Sequence, residues 1–263
     1  FLLLEQLADG KSWSALAPNM RHLTQRVGEV VRFPAGSVAR LARVPNSATI
    51  ILRFQRPIDN QYLELNGAIP LPPYVNRDPD IGDTNRYQTV YATNPGSAAA
   101  PTAGLHLTEE LMKEFKQNSV TVVPITLHIG MGTFTPMRTA RVEDHVMHRE
   151  RFIVPDSSAT VLEQARQEGR PIVAVGTTVV RTLESAWNGT RLTRKPSSTS
   201  LFIYPGYQFQ IVDQLLTNFH TPESSLLALV SALAGEECIK SAYAAAIACR
   251  YRFFSYGDAM LIR

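Results

Sequence analysis

The sequence predicts an α/β protein whose two parts differ in character. Its 263 residues exceed one average domain, which has about 100–200 residues. Over residues 1–57, short apolar runs alternate with turn signals, and this spacing is typical of a small antiparallel barrel or sandwich. After Tyr87, apolar strands alternate with helical segments, which is typical of a layered α/β domain.

Five apolar runs define the strands that we expect in the first part. Dipeptides such as Asp9-Gly10 and Pro45-Asn46 separate the runs and favour tight turns. The predicted strands are Phe1–Leu4, Ser14–Ala17, Val27–Phe33, Val38–Ala42 and Thr49–Phe54.

A connection joins the two parts. The segment Ile69–Tyr74 contains three prolines and is expected to be extended, because proline lacks the amide hydrogen that helices and central strands need. The polar run Asn76–Asn85 is expected to be an exposed loop. We therefore predict a small β-barrel domain plus connection over residues 1–84 and an α/β catalytic domain over residues 85–263.

The second part begins with a predicted helix capped by Thr108, since Glu109 and Glu110 follow it and favour a helix N-terminus. Almost continuous apolar character predicts buried strands at Val120–Ile129 and Pro171–Val175. The other predicted elements are helices from Ser157 to Gly169, from Gly176 to Trp187, from a Thr221-Pro222 cap to Gly235 and from Glu236 to Cys249, and closing strands at Arg252–Phe254 and Ala259–Ile262.

Composition excludes several classes of protein. The hydrophobic content of 44% and charged content of 19% argue against disorder, and no apolar run approaches the roughly 20 residues that span a bilayer. The net charge is +3, yet residues 11–56 carry eight basic residues and one acid. This asymmetry predicts an anionic partner, or else a solvated arginine-rich surface.

The two cysteines indicate a reducing compartment. Cys238 and Cys249 lie about 16 Å apart in one predicted helix, which is too far for a disulfide. Reduced thiols are typical of the cytoplasm.

Five of the six histidines lie between residues 106 and 220, and imidazole transfers protons near neutral pH. A single histidine is more often structural, but this concentration indicates a site. Asp144, His145 and His148 can also be interpreted as a metal cluster, although H-x-x-H without cysteines is a weak zinc signal. The candidates for proton transfer are His106, His128 and His220, with Asp144 and His148 as supporting groups.

A strand, a glycine turn and a helix follow one another around Gly176, Thr177 and Thr178. Free N–H groups at such a helix N-terminus attract a carboxylate or phosphate, and an ordinary tight turn is the alternative interpretation. Arg181, one turn later, is expected to clamp a carboxylate. The sequence contains no Rossmann, Walker or G-x-S-x-G fingerprint.

Several segments together resemble the S-adenosylmethionine:tRNA ribosyltransferase-isomerase family of queuosine biosynthesis. They are collinear from Ile69 to Arg263, whereas residues 1–68 match only loosely. Leu107, Val179 and Thr221 depart from the family pattern without loss of a functional group. The segments are IPLPPY (69–74), RYQTVYA (86–92), PTAGLHLT (101–108), LHIGMGTF (127–134), DHVMHRE (144–150), AVGTTVVRTLES (174–185), FIYPGY (202–207), TNFHTPES (217–224) and YRFFSYGDAMLI (251–262).

The resemblance implies a layered, α/β sandwich-like main domain with an inserted small antiparallel β-barrel, and a family N-terminal segment that is missing here. It implies that S-adenosylmethionine donates a ribosyl group, without a metal, to 7-aminomethyl-7-deazaguanine at the wobble position of tRNA. The products are epoxyqueuosine-tRNA, adenine and methionine. We expect a cytoplasmic monomer with no membrane and no obligate protein partner.

The matching segments complete the predicted site. Two other interpretations stay open, a zinc-dependent hydrolase that uses the Asp144, His145 and His148 cluster and a non-catalytic RNA-binding protein. We expect S-adenosylmethionine to contact Gly176, Thr177, Thr178, Arg181, Tyr256 and Asp258, and the tRNA base to contact Arg86, Tyr87, Gln88, Thr102, Gly104, Gly130, Gly132 and Thr133.

Overall fold

The computed structural model describes residues 1–17, 23, 25–43, 49–72, 74, 75, 77–94, 97, 99–128, 141–145, 147 and 149–263. The chain is a mixed α/β protein, as predicted, and it divides into two compact units. The first unit comprises residues 1–84 and a short segment around residue 97, and the second comprises residues 85–95 and 99–263.

The first unit is built on a five-stranded antiparallel sheet with the order β1-β2-β5-β4-β3. Each predicted strand is present, with ends shifted by a few residues. Within the described residues this order ends at β1 and β3, and no pairing joins these two edge strands. The strands are β1 (Leu2–Gln6), β2 (Ser12–Leu16), β3 (Val30–Arg32), β4 (Val38–Arg43) and β5 (Ile50–Phe54).

Alternation along the strands separates a buried face from an exposed one. Ala39 and Leu41 of β4 and Leu52 and Phe54 of β5 are buried, because successive side chains of a strand point to opposite faces. A helix that the sequence analysis did not predict, α1 (Asn60–Asn66), follows the sheet and begins where the Asp59 carboxylate accepts a hydrogen bond from the Tyr62 amide at 2.8 Å.

The polar run over 76–85 is not simply an exposed loop, contrary to the prediction. It contains helix α2 (Ile81–Arg86), and Asp83 in this helix is only 2% exposed. The guanidinium of Arg77 donates to both Asp83 carboxylate oxygens, and the Asp80 amide donates to one of them at 2.9 Å. This segment is ordered by an ion pair and not by an apolar helix face. Its sequence therefore lacks the apolar periodicity by which a helix is recognised.

The second unit contains two three-stranded sheets. One has the antiparallel order β6-β7-β9, and the other has the order β11-β10-β8, in which β8 and β10 are parallel and β10 and β11 antiparallel. The strands are β6 (Thr126–His128), β7 (Glu150–Ile153), β8 (Val173–Val175), β9 (Ser197–Thr199), β10 (Gln214–Asn218) and β11 (Ala259–Ile262).

Among the described residues, five helices accompany these sheets, and residues from both sheets share one core with them. Phe152 of β7, Ala174 of β8, Leu215 of β10 and Val180 of the helix that follows β8 are all buried in that core. Within the described residues, no helix combines the length and apolar character needed to cross a bilayer. The helices are α3 (Glu109–Gln117), α4 (Asp156–Gln167), α5 (Thr177–Ala186), α6 (Ser225–Ala234) and α7 (Glu236–Ala248).

Helix ends test the predicted caps directly. The Thr108 side chain accepts from the Leu111 amide at 3.2 Å, which confirms it as the cap of α3. The predicted Thr221-Pro222 cap is wrong, because α6 begins after Ser224, whose hydroxyl accepts from the Leu227 amide. Glu223 has a φ of +55°, which is not a helical conformation, so the helix cannot begin before it.

Two predicted strands are wrong as well. Of the run that starts at Val120, only Thr126–His128 pairs as a strand, and Val120 and Val122 are half exposed. Arg252–Phe254 belongs to a turn, in which Phe254 has a φ of +70° and accepts the Gly257 amide hydrogen bond. In both places apolar side chains cover the surface of the core without joining a sheet.

Two buried carboxylates hold loops against the helices. Glu184 of α5 accepts from the amides of Gln210, Ile211 and Val212 and from the Tyr207 hydroxyl. Burial and this carboxylate raise the pKa of Tyr207 to about 12. Glu163 of α4 likewise accepts from the Leu192 amide and the Arg194 guanidinium. These acids satisfy backbone donors that would otherwise be buried without partners.

Candidate active site at the carboxyl edge of the parallel strands

The parallel strands β8 and β10 end at the same edge of their sheet. Ligands of α/β proteins bind outside the carboxyl ends of such strands. Gly176 follows β8 and donates its amide to the Leu216 carbonyl at 2.9 Å, and Asn218 is the last residue of β10. A short 3-10 helix, Thr102–His106, contacts β10 beside this edge.

A buried amide links two predicted site residues at this edge. The Thr102 hydroxyl donates to Asn218 Oδ1 at 3.1 Å, and Asn218 Nδ2 lies 3.0 Å from His106 Nε2. Asn218 is 3% exposed. The sequence analysis did not single out Asn218, and its only signal was its place in the TNFHTPES segment.

The turn before β11 supplies a negative charge close to this network. The Asp258 carboxylate accepts from the Arg252 amide at 2.7 Å and from its guanidinium at 3.1 Å. These hydrogen bonds, the one from the amide above all, lower the pKa of Asp258. The turn requires glycine at Gly257, because a methyl group there would overlap the carbonyl oxygens of Arg252 and Phe253.

The pKa of the His106 imidazole lies below its ordinary value. Partial burial lowers the pKa of its imidazole, the charge of Asp258 acts in the opposite direction, and Arg252 lowers it further. Among the described residues, its Nδ1 has no hydrogen-bond partner, since the contact with Asn218 uses Nε2. One ring nitrogen is therefore held by the protein while the other is available to a ligand.

His220 is held differently. Its Nε2 lies 3.0 Å from the Thr217 hydroxyl, and its amide donates to the Tyr243 hydroxyl at 2.8 Å. Burial lowers the pKa of His220 to about 4. Thr217 and Asn218 are successive strand residues and point to opposite faces, so β10 contacts His220 from one face and His106 from the other.

Glycines bring backbone close together at the same edge. Gly176 precedes α5 with φ +96° and ψ 145°, a conformation that residues with side chains rarely adopt. Gly104 packs beneath Tyr91 and Thr89, where a methyl group would overlap the Tyr91 hydroxyl. Tyr87, also a predicted site residue, packs against Tyr256 with ring centroids 5.4 Å apart.

Arg181 differs from the expectation that it clamps a ligand carboxylate. The side chain is 4% exposed, Nη1 donates to Glu150 at 2.7 Å, and Nε donates to the Leu201 carbonyl at 2.8 Å. Its Nη2 is buried without a hydrogen bond to any described residue. The carboxylate that it contacts belongs to β7, so Arg181 joins α5 to the other sheet.

The remaining predicted residues are not brought to this edge by any described contact. His128 ends β6 opposite Arg151 in the other sheet, and Asp144 closes a short 3-10 turn. Arg86 is exposed at the end of α2, and Gln88 accepts from the Thr89 amide. Outside the described residues lie Gly130, Gly132, Thr133 and His148.

Metal-ligating side chains do not cluster in the part of the chain that the structure describes, where no three of His, Cys, Asp or Glu could hold one ion. His145 of the candidate zinc cluster packs its ring against Phe202 at 5.1 Å. Cys238 and Cys249 are free thiols, as predicted, and both are exposed.

Known proteins match this sequence over its length. The family described as queuosine biosynthesis protein matches residues 1–262. The S-adenosylmethionine:tRNA ribosyltransferase-isomerase of Treponema denticola is 47% identical over 269 residues, which cover 100% of this chain and 77% of that protein. The protein of the same name from Geobacter sulfurreducens is 46% identical and covers 100% of this chain and 76% of its own length.

A solved structure is also similar. The crystal structure of the S-adenosylmethionine tRNA ribosyltransferase of Thermotoga maritima has 32% sequence identity and a TM-score of 0.50. The match covers 99% of this chain and 73% of that one. The fold thus defines a mixed α/β protein, with a candidate ligand site at the carboxyl edge of two parallel strands. Within that class, the chain belongs to the queuosine biosynthesis protein family.

The ion pair of Arg181 and Glu150 gives a stability prediction. Arg181→Met removes the guanidinium that donates to buried Glu150 at 2.7 Å, and we expect the free energy of unfolding to fall by about 3–5 kcal/mol. Adding Glu150→Leu should recover most of the loss, as measured by urea unfolding. The folded double variant should then bind S-adenosylmethionine normally. If the double variant instead bound S-adenosylmethionine roughly 10- to 100-fold more weakly, which corresponds to the loss of one charged hydrogen bond, Arg181 would bind the ligand carboxylate as the sequence predicts.

His220 gives a prediction about pH. Its pKa is about 4 in the folded chain and about 6.5 in an unfolded one. Between these values the unfolded chain binds the extra proton, so the free energy of unfolding should fall by about 2–4 kcal/mol as the pH drops from 6.5 to 4. His220→Asn should flatten this dependence in urea unfolding at pH 7, 6 and 5. Parallel curves for both proteins would show that His220 does not cause it.

Proposed function

We propose that this chain transfers the ribosyl group of S-adenosylmethionine to 7-aminomethyl-7-deazaguanine at the wobble position of tRNA and isomerises it. The products are epoxyqueuosine-tRNA, adenine and methionine. The observation that carries this proposal is the match to named enzymes over the whole chain, at 47% identity for the Treponema denticola protein. No described feature favours the zinc hydrolase or a purely RNA-binding role.

The reaction sets three chemical requirements. A base must remove a proton near the ribose 5′ carbon, whose acidity the sulfonium raises, and a donor must assist the departure of adenine. A pocket that excludes water must protect the intermediates. Imidazole, carboxylate and backbone donors meet these needs without a metal ion, and His106, Asp258 and Gly176 all lie at or next to the carboxyl edge.

We assign the acid–base work first to His106, because Asn218 at that edge contacts its Nε2 and leaves its Nδ1 without a hydrogen bond to any described residue. His220 remains a candidate, although its low pKa makes it a neutral hydrogen-bond partner. His128 and Asp144 stay proposals without a contact to this edge, and His148 is a proposal outside the described residues.

For S-adenosylmethionine we propose the turn at Gly176 and the first amides of α5, at Thr177 and Thr178. The first N–H groups of a helix have no partner inside it and attract a carboxylate. Tyr256 and Asp258 flank the same edge and are proposed contacts. For the tRNA base we propose Arg86, Tyr87, Gln88, Thr102 and Gly104, with Gly130, Gly132 and Thr133 from outside the described residues.

Several wider features belong to the same proposal. The first unit is proposed to be the inserted barrel of a sandwich-like main domain, which is supported by the Phe1 and Phe33 rings next to its edge strands, 5.7 Å apart. We further propose that the enzyme is a cytoplasmic monomer, which suits its two exposed thiols.

The outer face of the first sheet is our proposed tRNA surface. Arg53 of β5 lies directly opposite Arg40 of β4, which lies opposite Val30 of β3, and Arg32 shares this face. Like charges directly opposite each other destabilise a sheet, and a phosphate group would relieve the repulsion. Arg40 and Arg53 both line a groove of about 270 Å³. Only Asp9, 3.8 Å from Arg53, offsets their charge among the described ion pairs.

The function itself is tested by the products. We expect the full chain to release adenine and methionine in equal amounts from S-adenosylmethionine, only when tRNA carrying the modified base is present, as measured by chromatography. His106→Gln should lower the saturated rate by roughly 10²–10⁴ with the fold intact. RNA binding without adenine release would favour the non-catalytic alternative, and a strict zinc requirement would favour the hydrolase.

Gly176 allows a matched test of the S-adenosylmethionine turn. Gly176→Ala strains a residue at φ +96° and ψ 145°, and Gly235→Ala strains one at φ +86° and ψ 144° between α6 and α7. Both should cost about 1–3 kcal/mol of stability. Only Gly176→Ala should raise the KM for S-adenosylmethionine, by about tenfold or more, and leave that for tRNA unchanged. Equal effects of both changes would move the turn out of the site.

The tRNA surface is tested by salt dependence. The double variant Arg40→Gln, Arg53→Gln should weaken tRNA binding and reduce the magnitude of the slope of log affinity against log salt by about 1–2. Binding releases counterions at each phosphate contact, so fewer are released when two contacts are lost. Arg170→Gln with Arg191→Gln removes the same charge from exposed positions of the second unit. An unchanged slope in the first variant would direct attention to another surface.

A further inference from the structure

Asn218 is the polar group at the carboxyl edge that the proposed reaction has not yet used. It is 3% exposed and is the last residue of β10. It contacts two site candidates of the 3-10 helix Thr102–His106, which is distant from it along the chain. Thr102 contacts its Oδ1 at 3.1 Å and His106 contacts its Nδ2 at 3.0 Å. A buried amide with both ends engaged holds its neighbours in one fixed arrangement.

The direction of these hydrogen bonds determines the protonation of His106. An amide oxygen only accepts and an amide nitrogen only donates, so the Thr102 hydroxyl donates to Oδ1 and Nδ2 donates to His106. His106 Nε2 must therefore accept, which requires that it carries no proton. The single proton of a neutral imidazole then sits on Nδ1, the nitrogen without a partner among the described residues.

We propose that Asn218 is a positioning residue that fixes His106 as the Nδ1–H tautomer, so that His106 serves the reaction as a hydrogen-bond donor. This role rests on the proposed function: His106 donates its Nδ1 hydrogen to the departing adenine or to another group that gains negative charge. Removing the proton near C5′ then falls to another group. Protonating Nε2 would set two N–H groups against each other, so the amide also opposes an imidazolium.

Charges around the ring agree with a neutral donor. Two charged groups act electrostatically on His106: Asp258 favours the charged ring and Arg252 opposes it. Burial has the largest effect and, like Arg252, lowers the pKa of the imidazole. Asp258 is itself held ionised by Arg252. The amide is therefore the contact that decides where the imidazole proton lies.

Nitrogen NMR of histidine-labelled protein tests the tautomer without substrate. At pH 8 we expect His106 to show a protonated Nδ1 and an unprotonated Nε2, assigned by comparison with His106→Gln. Asn218→Asp places a carboxylate, which only accepts, against Nε2 and should move the proton to Nε2. A wild-type spectrum with the proton on Nε2, or no change in the Asp variant, would overturn the proposal.

Kinetics separate positioning from a purely structural role. Asn218→Asp should lower the saturated rate by roughly 10²–10⁴ and leave the KM for S-adenosylmethionine within about threefold. It should also shift the pH profile of kcat to higher pH, because a carboxylate beside the imidazole favours its charged form. Thr102→Ser keeps the hydroxyl that orients the amide and should keep the proton on His106 Nδ1 in the NMR spectrum, whereas Thr102→Val should let part of it move to Nε2.

The two proposals fail in different ways. If the wild-type chain releases no adenine, the proposed function fails, and the NMR measurement still decides the tautomer. If the wild-type chain is active and Asn218→Asp keeps its rate and pH profile, the positioning role is overturned while the function stands. Loss of folding in the Asp variant, detected by circular dichroism, would transfer the test to the NMR spectra of the Thr102 pair, in which an unchanged tautomer in Thr102→Val would overturn the proposal.

Discussion

The parallel pairing of β8 with β10 is the interaction on which the candidate site depends. It aligns Val175 with Leu216, so the glycine turn before α5 and the Asn218 amide meet at one edge. On the other side of β10, pairing of Asn218 with Ala259 brings the Asp258 turn to the same edge. Chemistry-bearing residues from four chain segments thus converge because one central strand has two different partners.

Charged groups are used inside this unit as structural connectors. Glu150 binds Arg181, Glu163 binds the Leu192 amide, and Glu184 binds three successive amides from Gln210 onward. Each carboxylate lies on or faces a helix that packs on the sheets. Such contacts are directional, and they therefore fix the orientation of α5, whose N-terminus lies at the candidate site, more narrowly than apolar packing alone.

Local patterns predicted most of the fold because turn residues bound the short apolar runs, as around β4, and good helix formers such as alanine fill α7. The sequence failed where a distant partner decides the structure. Asp83 folds into a helix through an ion pair with Arg77, and the apolar run from Val120 has no strand partner over most of its described length. In the site, histidines and glycines carry recognisable chemistry, but an asparagine at the end of a strand is also typical of the turn that follows, so Asn218 was missed.

The span of the contact between Thr102 and Asn218, 116 residues along the chain, also bears on how the enzyme matures. Loop closure over such distances is slow relative to formation of helices and hairpins. The hairpin of β1 and β2, the pairing of β4 with β5 and the helices α6 and α7 rest on local contacts and are expected to gain structure early. Competence for catalysis is therefore among the last properties that a newly made chain acquires, and recovery of activity after denaturation lags behind recovery of secondary structure.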